Sequence, residues 1–130
     1  MLRGLSTITF FAADLPAAKK WYTVFLGIEP YFEVPGYLEF RLGDYQHELG
    51  VIDASYAPDG VAAAPGGAIA YWHVDDVTAT FDRLISLGAK EFEGIRERGE
   101  GFVTASVVDP FGNVLGVMQN AHYLEILASR

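Results

Sequence analysis

Apolar and polar residues alternate over residues 6–12, and the period then lengthens to that of a helix, placing Leu15, Ala18, Tyr22, Phe25 and Leu26 on one face. Asp14 stands where a helix needs an N-cap, Pro16 suits the first turn, and Gly27 supplies a left-handed stop. Alternation resumes over residues 31–34, 37–42 and 45–52, with turn residues at Pro35-Gly36 and Gly43-Asp44. The pattern predicts a strand, a helix and three strands.

The same order then recurs. Residues 68–74 read as a strand, Asp76 as a cap, Val77, Phe81, Leu84 and Ile85 as a buried helical stripe, and Gly88 as a stop. Strands follow near residues 90–92, 102–108 and 114–118, the last two separated by Asp109-Pro110-Phe111-Gly112-Asn113. Leu49-Gly50-Val51-Ile52-Asp53 is echoed by Leu115-Gly116-Val117-Met118-Gln119, and Phe11-Ala12-Ala13-Asp14-Leu15 by His73-Val74-Asp75-Asp76-Val77. These echoes, with the Leu26-Gly27 and Leu87-Gly88 pairs between them, lie 61 to 66 residues apart, half the chain length, so the repeat is a duplicated module. The expected organisation is α+β, a βαβββ module twice: residues 4–53, a linker rich in Ala, Pro and Gly over 54–67, and residues 68–120. Residues 121–130 form a C-terminal tail, which the pattern leaves open as a helix or an extended segment. The run 93–101, with Arg96, Arg98 and three glycines, predicts a solvated loop that could cover a cavity.

Composition narrows the chemistry. With 130 residues, 51% of them hydrophobic, the chain can bury a core without disulfide or structural metal. Absence of cysteine excludes thiol nucleophiles and thiolate metal sites, leaving His, Asp and Glu as the only strong metal ligands. Seventeen acidic against nine basic residues give a net charge of -8, which repels phosphate backbones and anionic lipid surfaces; neither nucleic acid nor membrane is expected as a partner. The apolar stretches at the N-terminus and over residues 61–74 are too short or too interrupted to span a bilayer, and a cytoplasmic location is expected. Gly99-Glu100-Gly101 does not continue as a dinucleotide fingerprint, and neither a phosphate loop nor a Gly-x-Ser-x-Gly elbow occurs.

The doubled pattern, with Asp14-Leu15 and Asp75-Asp76-Val77 opening the helices, Leu-Gly closing them, and Asp109-Pro110-Phe111-Gly112-Asn113 before the last strand, resembles the vicinal oxygen chelate superfamily of glyoxalases, bleomycin-resistance proteins and dioxygenases. The resemblance implies two modules whose sheets curve around a shared cavity, and a homodimer. In metal-dependent members the ligands come from the first and last strand of each module. Counting from the motifs puts those positions on Thr7, Gly50, Ile69 and Gly116. Two have no side-chain donor, one is aliphatic and one is a weakly ligating hydroxyl, so no metal or other cofactor is expected. A slip of two residues would substitute Glu48 for Gly50, with His73 as its only obvious partner.

Strand alternation sends Thr7, Thr9 and Phe11, with Ile69, Tyr71 and His73, toward the implied cavity, and Glu48, Gly50, Gly116 and Met118 with them. Glycine at both central positions lowers the floor. His73 is a candidate general base or ligand donor, against the alternative of a strand-end histidine. Glu48 is a candidate catalytic carboxylate or cation holder, against a carboxylate paired with Arg41 on the neighbouring strand. Glu39 and Arg41 share one face, and Arg41 could meet a carboxylate on a ligand. His47 and His122 are expected at the surface. The expected function is metal-independent binding of a small organic molecule, aromatic or cationic. The alternatives are a metal-dependent lyase, isomerase or dioxygenase of the glyoxalase type, and a domain serving only dimerisation or partner binding.

Overall fold

The computed structural model describes residues 1–61 and 64–130; residues 62–63 of the expected linker lie outside the described residues. The chain divides into two compact units, the first spanning Met1–Val61 and the second continuing to Arg130, so the division falls inside the segment 54–67. Each unit holds a four-stranded mixed sheet, with one α-helix in the first unit and two in the second, giving two tandem modules of an α+β fold.

The first unit runs β1 (Thr7–Ala12), α1 (Leu15–Leu26), β2 (Phe32–Val34), β3 (Tyr37–Leu42) and β4 (His47–Asp53), followed by a single 3-10 turn at Ala54–Tyr56. Its sheet order is β1-β4-β3-β2, with β1 parallel to β4 and the other pairs antiparallel. Asp14 caps α1 by accepting from the Ala17 N–H at 3.0 Å, and Gly27, at φ 73°, closes it with a bond to the Thr23 carbonyl. On the face of α1 turned to the sheet, Ala18 and Tyr22 are fully buried while Leu15, Phe25 and Leu26 are half-buried, and the Tyr22 ring packs on Phe10 and Phe40 at 6.3 Å each. Leu38, Leu49 and Val51 complete this core. The last strand begins at His47 rather than residue 45. Gln46 takes a left-handed conformation, φ 56°, and both its N–H and its side-chain amide bond the Gly43 carbonyl, so residues 43–46 complete the turn.

The second unit runs β5 (Tyr71–His73), α2 (Val77–Ser86), β6 (Lys90–Gly99), β7 (Phe102–Val108), β8 (Val114–Asn120) and α3 (Ala121–Ala128), with sheet order β5-β8-β7-β6. Asp76 caps α2 through the Ala79 N–H, and the Ala89 N–H returns to the Leu84 carbonyl to finish it. Val77, Phe81 and Leu84 pack with Ala105, Val107, Leu115 and Val117. Ile85, expected in that stripe, is instead 39% exposed, because it lies one position round the helix from Leu84 and past the edge of the sheet-facing arc. Strand β5 is shorter than the expected 68–74. In its register Tyr71 faces Gly116, so residue 68 would lie opposite the turn that precedes β8, where no ladder partner exists.

Two segments of this unit depart from expectation. Residues 93–99 belong to strand β6 rather than to a loop. They form an edge strand with register shifts between Glu91 and Glu93, Glu93 and Arg96, and Glu97 and Gly99. An edge strand is wetted on both faces and tolerates the charge and glycine that mimic a loop in sequence. The tail resolves as helix α3, capped by Asn120, whose Oδ1 accepts from the Tyr123 N–H at 3.0 Å. Among the described residues no helix is long and apolar enough to cross a membrane.

The β7–β8 turn is fixed by Asp109, a carboxylate 3% exposed that accepts from the N–H groups of Phe111 and Asn113 at 2.9 and 2.8 Å and from the Asn113 side-chain amide. Asp109→Ala would leave these donors without an acceptor; we expect a loss of about 3 kcal/mol and a melting temperature lower by on the order of 10 °C by calorimetry. On α2, Leu84→Ala should cost about 2–5 kcal/mol in denaturant unfolding. Ile85→Thr should cost less than roughly 1 kcal/mol, and equal losses at the two sites would contradict the burial described above.

Candidate functional site

One side of the first sheet is covered by α1, and strand register defines what stands on the other. Thr7, Glu48 and Arg41 form one row, Thr9, Gly50, Glu39 and Phe32 the next, and Phe11, Ile52, Tyr37 and Val34 the third. Thr7, Thr9, Phe11, Arg41, Glu48 and Gly50 are thus brought to one surface, as alternation predicts. Glu48 also borders a shallow cleft of about 460 Å³, shared with Arg3, Leu5, Ser6 and Tyr45.

Two carboxylates organise this surface. The Thr7 hydroxyl donates to Glu48 Oε1 at 2.6 Å, and the Tyr37 hydroxyl donates to Glu39 Oε1 at 2.5 Å, within the range of bonds to an ionised acceptor. Tyr37 reaches Glu39 by crossing the space above Gly50. A Cβ at Gly50 would stand 2.7 Å from the Tyr37 hydroxyl, so glycine there admits the ring rather than leaving a void. Burial pushes the Tyr37 hydroxyl well above its ordinary range, its bond to Glu39 and the charges of Glu39 and Glu48 add to the shift, and it stays a proton donor through neutral pH. Arg41 lies across from Glu48 in the register, yet its guanidinium sits over the Tyr31 ring at 3.7 Å. Glu48 is therefore held by Thr7, and in place of the alternative pairing with Glu48, Arg41 makes a cation–π contact.

The open face of the second sheet has the same plan and different chemistry. Tyr71, Gly116, Ser106 and Glu93 form one row, and His73, Met118, Thr104 and Arg96 the next. The Tyr71 ring covers Gly116, with its Cδ1 2.7 Å from where a Cβ would be, and Ile69 Cγ2 is 3.0 Å from the same point. Arg98 donates through Nε to Thr104 Oγ1 at 3.0 Å and pairs with Glu93. His73 Nδ1 accepts from the Asn120 N–H at 3.2 Å, and its ring stacks on Tyr123 at 4.6 Å. With Nδ1 used as an acceptor, the neutral ring carries its proton on Nε2, and that buried atom has no hydrogen-bond partner among the described residues. His73 thus has no free basic lone pair on this face, and its geometry is that of a donor tied to the start of α3. His47 is half-buried against Tyr45, and His122 is exposed on α3 beside Glu125.

Sequence reasoning singled out Glu39 beside Arg41 but missed the hydroxyls of Tyr37 and Ser106. Tyr37 was legible in principle, since it lies two residues from Glu39 on one strand. Ser106 was not, because nothing in the pattern distinguishes it from its neighbours.

The donor set can be tested against a divalent metal. The side-chain space at Gly50 and Gly116 is filled by tyrosine rings, Thr7 is engaged with Glu48, Ile69 has no donor, and His73 presents an N–H. Among the described residues no three His, Asp or Glu side chains converge on a common point. The residues present do not fit such an ion.

A family model described as the glyoxalase/bleomycin resistance protein/dioxygenase superfamily matches residues 4–117. Comparison with curated proteins gives no match. Among solved structures, the chain is similar to a glyoxalase-related enzyme from Fulvimarina pelagi, with a TM-score of 0.70, 20% identity and coverage of 90% of this chain and 88% of that one. It is similar to a lactoylglutathione lyase from Agrobacterium tumefaciens, with a TM-score of 0.66, 23% identity and coverage of 90% and 93%. It is also similar to a bleomycin resistance determinant encoded on the transposon Tn5, with a TM-score of 0.65, 20% identity and coverage of 91% and 98%. At these identities the structures speak for the fold, while the family model spans most of the chain. The chain belongs to the glyoxalase/bleomycin resistance protein/dioxygenase superfamily.

Proposed function

We propose that the chain binds a small organic molecule bearing a cationic centre and an aromatic surface, on the open face of its first sheet and without a metal. The observation that carries this reading is the pair of hydrogen-bonded carboxylates, Glu39 and Glu48, flanking Gly50 on a face that also presents Phe11, Phe32 and Tyr37. Each carboxylate is oriented by a hydroxyl donor and keeps a second oxygen for an incoming cation, and the rings offer flat apolar and cation–π surface. The net charge of -8 favours the approach of a cation. Binding of this kind sequesters a molecule and requires no bond to break. The relative named for bleomycin resistance makes bleomycin a natural probe, beside the simpler benzyltrimethylammonium ion.

The test is titration calorimetry on protein purified without a histidine tag and dialysed against a chelator. We expect saturable binding of a cationic probe, unchanged by the chelator, and a substoichiometric content of nickel, zinc, iron and manganese after exposure to each. Glu39→Gln and Glu48→Gln should each weaken binding roughly ten-fold, the loss of about 1.4 kcal/mol of charge attraction, with little effect on unfolding. Stoichiometric metal whose removal abolishes activity on a glyoxalase or dioxygenase substrate would replace this reading with the lyase, isomerase or dioxygenase one. Absence of heat with either probe would leave no basis for a cation site.

A further inference from the structure

Helix α1 is apolar on more than the side it turns to the sheet. Tyr22 enters the core, while Ala17, Lys20, Trp21 and Val24 recur at helical spacing on the opposite side. That side of a surface helix is ordinarily polar. Here Trp21 is half-buried, Val24 is 51% exposed, and Ile28, exposed as well, follows the stop at Gly27. Lys20 is the one charge in the stripe. The helix has no acidic residue, and its other lysine, Lys19, pairs with Glu33 at 3.0 Å, whereas Lys20 makes no ion pair among the described residues. An aromatic, basic surface thus stands on a chain whose net charge is -8. Helix α3 has the complementary character. Six of its eight residues are apolar and none is buried. Its first turn is fixed by the Ala121 N–H, which bonds the Gly101 carbonyl at 3.0 Å, and by Tyr123 stacked on His73. Leu124, Glu125 and Ala128 are left exposed along one side, Leu124 by 48%, with the Glu125 side chain 79% exposed. These three have the same spacing as Lys20, Trp21 and Val24 on α1.

We propose that α1 of one copy packs on α3 of a second copy, and α3 of the first on α1 of the second, in a two-fold dimer with Lys20 facing Glu125 at both contacts. Trp21 and Val24 lie against Leu124 and Ala128, and the small side chains of Ala17 and Ala128 let the helix axes approach to about 8–10 Å. Charge selects this pairing. Packing α1 on α1 would set Lys20 against Lys20, and α3 on α3 would set Glu125 against Glu125, between chains that already repel each other. Area selects the symmetry. One helix pair covers on the order of 400 Å² per partner, half the roughly 800 Å² of a standard stable interface, and a two-fold axis supplies the contact twice. The superfamily resemblance implies a homodimer without assigning its surface; the exposed stripes of α1 and α3 assign it. Because α1 covers the side of the first sheet opposite Glu39 and Glu48, this interface goes beyond the cation-binding reading and stands independently of it.

The test is sedimentation velocity on the full chain over a wide range of concentration, where we expect a monomer–dimer equilibrium. Lys20→Glu and Glu125→Lys, both at exposed positions, should each raise the dimer dissociation constant about 100-fold, because each sets like charges together at both contacts. Mixed in equal amounts, the two variants should recover a dimer of near wild-type affinity. One contact of the mixed dimer then joins Lys20 to Glu125 as in the wild type, and the other joins the same two charges with their places exchanged. Recovery on mixing also separates a lost interface from a lost fold, since two misfolded chains would not restore each other. A wild-type chain that stays monomeric at every concentration would overturn the proposal, as would a dimer that either charge reversal leaves intact. So would two variants that remain monomeric when mixed, the result expected if α1 and α3 served different partners.

Discussion

The parallel pairing of each unit's first strand with its last is the constraint on which the rest of the structure depends. In the first unit Thr9 lies opposite Gly50, and in the second Tyr71 lies opposite Gly116, so the internal repeat is a repeat of register as well as of sequence. A strand shifted by one residue would send every core side chain to the open face and every open-face side chain to the core. Phe10, Leu49 and Val51 under α1, and Leu115 and Val117 under α2, forbid that slip, because burying them stabilises by roughly 1.5–3 kcal/mol apiece. The composition of the open faces is therefore a consequence of how the cores are packed.

Within that shared frame the two units have diverged chemically. Both place a glycine at the centre of the last strand and both roof it with a tyrosine, but the rings come from opposite sides. Tyr37 arrives from β3 and donates to Glu39, so the first face is held by charge-assisted bonds and presents two carboxylates. Tyr71 arrives from β5, and the position across from Gly116 that corresponds to Glu39 is Ser106. One duplicated fold thus carries two hydrogen-bonded carboxylates on one open face and a buried serine at the corresponding position of the other. Family membership says nothing about that difference, since it resides in side chains that the fold does not need.

Much of this was legible in the sequence, and the exceptions have physical causes. Asp14 and Asp76 were readable as caps because an N-cap needs a short acceptor at one defined position, and Asp109 because a tight turn needs an oxygen facing several N–H groups. The faces of Thr7, Thr9, Glu48 and His73 followed from alternation alone. Residues 93–99 were misread since charge and glycine describe solvent exposure, which an edge strand and a loop share. Ile85 was misplaced because a stripe of apolar residues can be wider than the surface it packs on. The orientations of Arg41 and His73 depend on which of several nearby partners wins, Tyr31 over Glu48 and Asn120 over an external acid, and periodicity carries no information about that competition.

The histidine shows how such a competition changes function. A strand-end His on an open face is the natural general base of a site like this. Here the chain turns at Asn120 to begin α3, and that turn points a backbone N–H at the ring. Tyr123, one turn into the helix, then lies flat against it. The helix cap, the strand end and the imidazole are one assembly, and the tautomer is fixed by the backbone. A base must offer a lone pair to its substrate, whereas this ring keeps its lone pair for the start of a helix and holds its N–H on a buried nitrogen. Catalysis by proton abstraction at His73 would thus require α3 to give up the contact that anchors its first turn.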